Sequence, residues 1–275
     1  MTDQQLSTMS EYGVLGVRDV DFALDRVPPS PPLAALVERY WRVTWEMPAG
    51  RTASVVLLPT PSVNVVLDAG RLAIYGVTHD RFTYTFRGAG RVFGIKFRPA
   101  GFLPFLRRPI AGLFGRALPA EQLWGPDATE LAVALQAEPS LEGLVALTER
   151  FLTARWPEPD PQVELVQRIV AALLHDREIT RVEEVAVRFG IPMRTLQRMF
   201  ARYVGVSPKW VLRRYRLHEA ATRLAEDHDR PWAEVAAELG YFDQSHFIRD
   251  FTRAIGLTPV AYAQACRRRT APLSA

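Results

Sequence analysis

The sequence predicts an α+β chain in two parts: a small antiparallel β-barrel or sandwich with flanking helices, then an all-helical region holding two helix-turn-helix units. Three observations carry this. Between Trp41 and Phe97, short apolar runs are separated by Pro, Gly, Asn and Asp, the texture of strands joined by turns. After the proline-rich stretch Trp156-Pro-Glu-Pro-Asp-Pro161 the apolar residues recur at helical spacing. Within that helical region, a pattern that starts at Val182 returns at Trp232.

In chain order, residues 1–32 read as mostly irregular, and Pro28-Pro-Ser-Pro-Pro32 marks a boundary. Leu33 to Tyr40 reads as a helix with Leu33, Leu36, Val37 and Tyr40 on one side. The strand candidates are Arg42–Trp45, Ser54–Leu58, Val63–Leu67, Leu72–Val77, Phe82–Phe86 and Val92–Phe97. In Phe82-Thr-Tyr-Thr-Phe86 the aromatics alternate onto one face, the period of a half-buried strand. From Gly101 the texture turns helical, most clearly in Pro119–Ala137 and Ser140–Trp156. In the latter, Leu141, Leu144, Val145, Thr148, Phe151 and Leu152 form a stripe and Ser140 is placed to cap. Such a pair packs either on its own domain or on a second subunit. The boundaries that follow are a first domain over 1–156, a linker over 157–162 kept extended by proline, a helical domain over 163–266, and a tail over 267–275.

At 275 residues with 48% apolar content, the chain is long enough for two cores and too apolar for wholesale disorder. No apolar run reaches the roughly 18–20 residues that span a bilayer. Met1 to Glu11 lacks the basic and apolar regions of a secretory signal, and a single cysteine, Cys266, excludes an intramolecular disulfide. The expected location is the cytoplasm. Charge is uneven: residues 1–159 hold 16 basic and 16 acidic side chains, and residues 160–275 hold 18 and 14, so the net +4 lies in the helical part. That distribution suits a polyanionic partner there.

The repeat gives the partner a form. Its first copy is Val182-Glu-Glu-Val-Ala-Val-Arg-Phe-Gly190, Arg194-Thr-Leu-Gln-Arg-Met-Phe200, then Gly205-Val-Ser-Pro208. Its second is Trp232-Ala-Glu-Val-Ala-Ala-Glu-Leu-Gly240, His246-Phe-Ile-Arg-Asp-Phe251, then Gly256-Leu-Thr-Pro259. Each reads as a short helix, a glycine turn and a second helix, which is the helix-turn-helix that offers its second helix to the DNA major groove. The helix Pro208–Glu226 joins them and spans about 28 Å at 1.5 Å per residue. Two recognition helices so joined suit successive major grooves on one face of a duplex.

Residues 163–265 resemble the AraC/XylS family of bacterial transcription regulators. Gly240-Tyr-x-Asp-Gln-Ser-His-Phe-x-Arg-x-Phe251, Gly256-x-Thr-Pro259 and Tyr262 carry the resemblance; the first unit departs from it at Pro192, where the family often has a capping serine. The first half is similar to the cupin-like sensory domains of part of this family, through Glu38-Arg-Tyr-Trp41, Leu58-Pro-Thr-Pro-Ser-Val-Asn64 and Val92-Phe-Gly-Ile-Lys-Phe-Arg-Pro-Ala-Gly101. The resemblance implies a non-enzymatic regulator of double-stranded DNA, with a small-molecule effector in the first domain and RNA polymerase and a second copy of the chain as further partners. The alternative is a ligand-independent DNA binder whose first domain is a dimerisation scaffold. By the resemblance, Arg194, Gln197 and Arg198 face bases in the first unit, and Gln244, Ser245, His246 and Arg249 in the second. Arg suits guanine and Gln suits adenine; clamping phosphate or facing solvent is the other reading of the arginines, and helix packing that of His246. Lys209, Arg213 and Arg214 are candidates for the DNA backbone, with a solvated face as the alternative.

Other chemistry finds little support. Residues 1–159 hold one histidine, His79, read with Asp80 as a turn, so neither a metal centre nor a cofactor is expected. Cys266 reads as packing or surface, and neither a serine elbow nor a glycine-rich phosphate loop is visible. Arg87, Arg91, Lys96, Arg98, Arg107 and Arg108 form either a solvated face or the rim of a pocket for an anionic effector. The aromatics between Tyr40 and Phe86 line a pocket or fill a core. The pocket candidates are Trp41, Trp45, Tyr75, Tyr84, Lys96 and Arg98.

Overall fold

Nine strands, all paired antiparallel, make up the first half of the computed structural model, which describes residues 14–17, 22–79, 81–176, 178–227, 229–241 and 243–270. The readings made on 1–13, on Asp80 and on 271–275 lie outside the described residues. The strands are β1 Val14–Val17, β2 Phe22–Val27, β3 Val37–Glu46, β4 Thr52–Leu57, β5 Asn64–Asp68, β6 Arg71–Tyr75, β7 Phe82–Arg87, β8 Ala89–Phe97 and β9 Ala117–Pro119. They form a three-stranded sheet, β1-β4-β7, and a six-stranded sheet, β2-β3-β8-β5-β6-β9. The two sheets face each other across a cavity.

Two expectations are corrected here. The segment Leu33–Tyr40 is not a helix: a 3-10 turn occupies Pro31–Leu33 and β3 begins at Val37. Its apolar spacing fits a helix, but pairing of Tyr40 with Ile95 and of Val43 with Val92 across to β8 draws the chain into the sheet. Within the stretch 1–32 that reads as mostly irregular, the described residues include the strands β1 and β2. In β2 Asp25 and Arg26 break the apolar alternation; the strand is held by pairing with β3, where Asp25 opposes Arg42 and accepts its Nη2–H at 2.8 Å.

Trp41 and Trp45 pack against glycines of β8. A Cβ on Gly94 would come within 2.2 Å of the Trp41 ring, and one on Gly90 within 2.2 Å of Trp45. These indoles could not sit there over any other residue.

Four helices follow or interrupt the sheets: α1 Leu103–Leu106, α2 Glu121–Trp124, α3 Pro126–Ala137 and α4 Leu141–Thr153. The expected single helix over Pro119–Ala137 is split at Gly125, which adopts φ 64°. Ser140 caps α4, its side chain accepting from Gly143 N–H at 3.0 Å. Leu131 and Leu135 of α3 and Leu144 and Leu152 of α4 join the core of their own chain, the intramolecular one of the two packings open in the sequence.

The helical half comprises α5 Pro161–His175, α6 Val182–Arg188, α7 Met193–Tyr203, α8 Pro208–Glu226, α9 Trp232–Glu238, α10 Gln244–Ile255 and α11 Pro259–Thr270. Helix α5 starts inside the stretch read as linker, with Asp160 capping it. Helix α11 runs into the stretch read as tail. The repeat is visible bond for bond. Gly190 and Gly240 take φ 63° and 75°, and each turn closes with a hydrogen bond five residues back, Ile191 N–H to Ala186 O at 2.9 Å and Tyr241 N–H to Ala236 O at 3.0 Å. Gly205 and Gly256 take φ 90° and 89°, and then Ser207 and Thr258 each accept from the backbone N–H three residues on, both at 3.2 Å.

The apolar core is not divided where the sequence is. One cluster runs from Leu33 of the 3-10 turn and the six-stranded sheet through α3, α4 and α5 to Leu196 and Phe200 of the first helix-turn-helix unit and Val211 of α8. A second, separate cluster forms around Phe247 and Phe251 with Leu217, Ala221 and Leu224 of α8. It includes one residue from the sheet half, Leu58.

Candidate nucleic-acid interface

The apolar stripe of each recognition helix fixes its polar face. In α7, Leu196, Phe200 and Tyr203 are buried at a spacing of four and three, which leaves Arg194, Gln197 and Arg198 exposed together. In α10, Phe247, Asp250, Phe251 and Ala254 are buried, and Gln244, Ser245, His246 and Arg249 are exposed. Asp243 caps α10, accepting from Ser245 N–H at 2.8 Å, so the positive end of the helix lies beside Gln244. Pro192 precedes α7 without a side-chain cap, matching the departure noted in the sequence. Each face thus presents donors that suit base edges and cations that suit phosphates.

Each basic stripe is longer than the sequence reading gave. Arg202 lies four residues beyond Arg198, Arg253 lies four beyond Arg249, and both are exposed. Spacing alone could have found them, because residues four apart share a helix face.

The three backbone candidates separate. Lys209 is exposed at the start of α8. Arg213 is half-buried, its Nη1 3.4 Å from Asp250 Oδ1. Arg214 is a correction: it is 5% exposed, it donates from Nη2 to His79 O at 2.7 Å, and its guanidinium lies 4.8 Å from the Trp210 ring centre. It ties the sheet half to α8 and does not face outward.

Of the pocket candidates, Trp41, Tyr75, Tyr84 and Lys96 line a cavity of about 310 Å³ between the sheets, together with Leu57, Leu58 and Phe82. Trp45 is not in its lining; it packs edge-on to Tyr84 with centroids 5.7 Å apart and donates from Nε1 to Arg87 O at 3.2 Å. Arg98 lines a different space, a cleft of about 850 Å³ between the sheet half and helices α5 and α8, and donates from Nε to Ala34 O at 2.7 Å. Lys96 reaches both spaces. Its Nζ lies 3.0 Å from Glu38 Oε1, and burial lowers its pKa to about 8 against the pull of Glu38. Tyr84 is pushed up by burial and by Asp68, to which its hydroxyl donates at 3.1 Å. Arg91 does not rim a pocket: it closes the end of α3, donating from Nη2 to Gln136 O at 2.8 Å. Among the described residues no group of three His, Cys, Asp or Glu could hold a metal ion.

Comparison with known proteins agrees with this geometry. Residues 185–265 match a family described as a helix-turn-helix domain, and residues 25–119 match a domain of unknown function, DUF6597. The chain is 36% identical over 75 residues to the HTH-type transcriptional activator RhaS of Pectobacterium carotovorum, covering 27% of this chain and 26% of that protein. It is 26% identical over 147 residues to a probable thc operon regulatory protein of Rhodococcus erythropolis, covering 51% of this chain and 44% of that one. The matches thus span from about a quarter to under half of these relatives' length. A structure of ToxT from Vibrio cholerae aligns over 90% of this chain and 98% of its own at 12% identity, with a TM-score of 0.39. No helix among the described residues is long and apolar enough to cross a membrane.

Proposed function

From the premise that residues 185–265 belong with the AraC-type helix-turn-helix regulators, we propose that this chain is a cytoplasmic, sequence-specific reader of double-stranded DNA that answers to a small molecule held in its first half. The carrying observation is the doubled unit itself: two recognition helices of the same build, each with its polar face exposed, joined by one 19-residue helix. In this reading Arg194, Gln197 and Arg198 meet one major groove, and Gln244, Ser245, His246 and Arg249 meet the next. Lys209, Arg202 and Arg253 hold phosphates. Transcription follows from contact with RNA polymerase.

The effector would sit in the cavity between the sheets. That space is mostly apolar and aromatic, with Lys96 and Arg39 at one part of its wall. Two stretches of its wall lead directly to the DNA-binding half. Leu58 belongs at once to the cavity wall and to the core around Phe247. Val77 and Thr78 also line it and precede His79, whose carbonyl receives Arg214. A molecule that binds unequally to two settings of these loops would bias the placement of the second unit.

The test is binding of the full chain to duplexes selected from its host's genome. Affinity should fall steeply with salt. Arg198→Ala and Arg249→Ala should each weaken binding by about 1–3 kcal/mol. Unchanged binding in both variants would remove the assignment. The effector is tested separately, by thermal shift of the wild type and of Tyr84→Ala across a metabolite panel. If no compound raises the wild-type melting temperature, the first half is a scaffold, and the DNA-binding reading stands without it.

A further inference from the structure

We infer that Arg216 braces the two helix-turn-helix units against each other and so sets the separation at which the chain reads its two half-sites, an inference that rests on the DNA-binding reading above. Arg216 lies near the middle of α8, the helix that joins the units. Its Nη2 donates to Thr180 O at 2.5 Å and reaches Ile179 O at 3.4 Å. Both carbonyls belong to the entry of the first unit, just ahead of α6. That entry is itself fixed: the Glu184 carboxylate accepts from Thr180 N–H at 2.6 Å and from Arg181 N–H at 3.1 Å. The same guanidinium also lies against the turn of the second unit. A Cβ built on Gly240 would meet Arg216 Nη2 and the Thr180 methyl, each at 3.6 Å. The arginine, the entry of the first unit and the turn of the second therefore meet at one point. That point is one turn's length ahead of Gln244, where the second reading face begins.

The consequence is mechanical. Two bodies joined by a single helix keep their distance along it but pivot about it; a second tie off the helix axis removes that freedom. The bonds in this tie are charge-assisted, which makes them stronger than neutral ones. Burial lowers the pKa of Arg216 from its ordinary value against the pull of Tyr241 and Glu184, so the group is held between one side chain of each unit. The planar fork of arginine serves partners in two directions at once, whereas a lysine ammonium is a single donor centre. Arg223, further along α8, has a different role: it pairs with Glu219 of its own helix and with Glu238 of α9, inside the second unit. On DNA, one added base pair moves a half-site by about 3.4 Å along the duplex and roughly a tenth of a turn around it. A braced pair of readers rejects that change and a pivoting pair tolerates it. Arg216 is a positioning residue in this scheme and touches no base itself.

The experiment is selection of bound duplexes from a random library by the full chain, followed by its affinity for the selected half-sites moved one base pair closer or further apart. The wild type should prefer one separation over its neighbours by about tenfold, the size of one mismatched base pair, and Arg216→Met should bring that to within about threefold. The methionine keeps much of the side chain's bulk and removes its donors, so the base preferences inside each half-site should stay. Arg216→Lys should fall between the two, and Arg223→Ala should keep the wild-type preference. If Arg216→Met retains the wild-type separation, or loses the base preferences of both half-sites alike, the guanidinium serves only packing and the inference falls. It falls as well if Arg223→Ala relaxes the separation as far. A lysine variant equal to wild type overturns the role of the fork, and that comparison decides the matter where Arg216→Met does not fold. A wild type indifferent to separation overturns the brace while its base preferences leave the DNA-binding reading standing. A wild type that selects no sequence at all removes that reading itself, which separates the two failures.

Discussion

Lys96 shows a charge kept inside against its solvation. Its ammonium is nearly enclosed, and Glu38 only partly offsets the burial that lowers its pKa to about 8. In the unfolded chain the same group titrates near about 10.4. Between these values the unfolded chain still holds a proton that the folded chain has released, so this residue makes stability rise with pH across that window, by at most roughly 1.4 kcal/mol per pH unit. Below about pH 8 its contribution is flat and at its least favourable. Melting temperatures of wild type and Lys96→Met from pH 7 to pH 9.5 should therefore converge in the wild type's favour as pH rises. A constant difference would mean that Lys96 is solvated. None of this was legible in the sequence, where Lys96 stood as one of six basic residues near the last strands; which of them is buried depends on pairings far along the chain. Arg214 is the same lesson reversed. Its neighbours on the helix suggested a phosphate contact, and only the approach of His79, 135 residues away, turns it inward.

Local pattern sufficed for some elements and failed for others for one reason. The helix-turn-helix units were readable because every bond that defines them closes within a few residues: the glycine turns, the Ser207 and Thr258 caps, and the apolar stripe of each recognition helix. Replacing Gly190 or Gly240 with alanine should accordingly destabilise the unit concerned by about 1–2 kcal/mol, because φ is 63° and 75° at these turns and an L side chain resists that conformation. Crowding plays no part at Gly190, where an added Cβ has nothing within 4 Å. Circular dichroism melts of both variants, set beside Gly112→Ala in an open site without positive φ, measure the effect. Losses no greater than in that control would contradict the strained-turn account. Strands β2 and β3 were missed or misread because their bonds are long-range. The Leu33–Tyr40 spacing fitted a helix, and pairing with β8 overrode it from Val37 onward. At Gly94 the partner is a side chain: Gly94→Ala should displace the Trp41 ring, lower stability by about 1–3 kcal/mol by overpacking and reshape the cavity wall. A quenched or red-shifted tryptophan emission alongside the stability loss is the expected signature, and unaltered emission would mean that the indole does not lie where Gly94 admits it.

On the scale of the whole molecule, the boundary that matters is not the proline-rich stretch at 157–162. The six-stranded sheet and the first helix-turn-helix unit share one apolar cluster, the three-stranded sheet has a small one of Met47, Ala53, Val55 and Phe86, and the second unit has its own, which meets the sheet half at Leu58. Gly256 lies against Arg81 of the same face, where an added Cβ would come within 2.3 Å of the guanidinium. Cooperative units of stability follow packed clusters more closely than sequence boundaries. The first unit should thus be firm with the sheets, and the second should be the part whose placement can change. Leu58→Ala isolates that difference. Removing a buried leucine side chain typically loses about 2–5 kcal/mol, but here the cavity opens in the second cluster although the residue belongs to the sheet half. Hydrogen exchange should therefore speed up in α9 and α10 well before it does in α7 or the sheets. The two recognition helices would then hold a less fixed separation, so duplexes carrying both half-sites should lose more affinity than a duplex carrying the first alone. Equal loss of protection throughout the chain would show that the two clusters unfold as one, and a ligand in the cavity would then have to act on the entire protein instead of on its second reader.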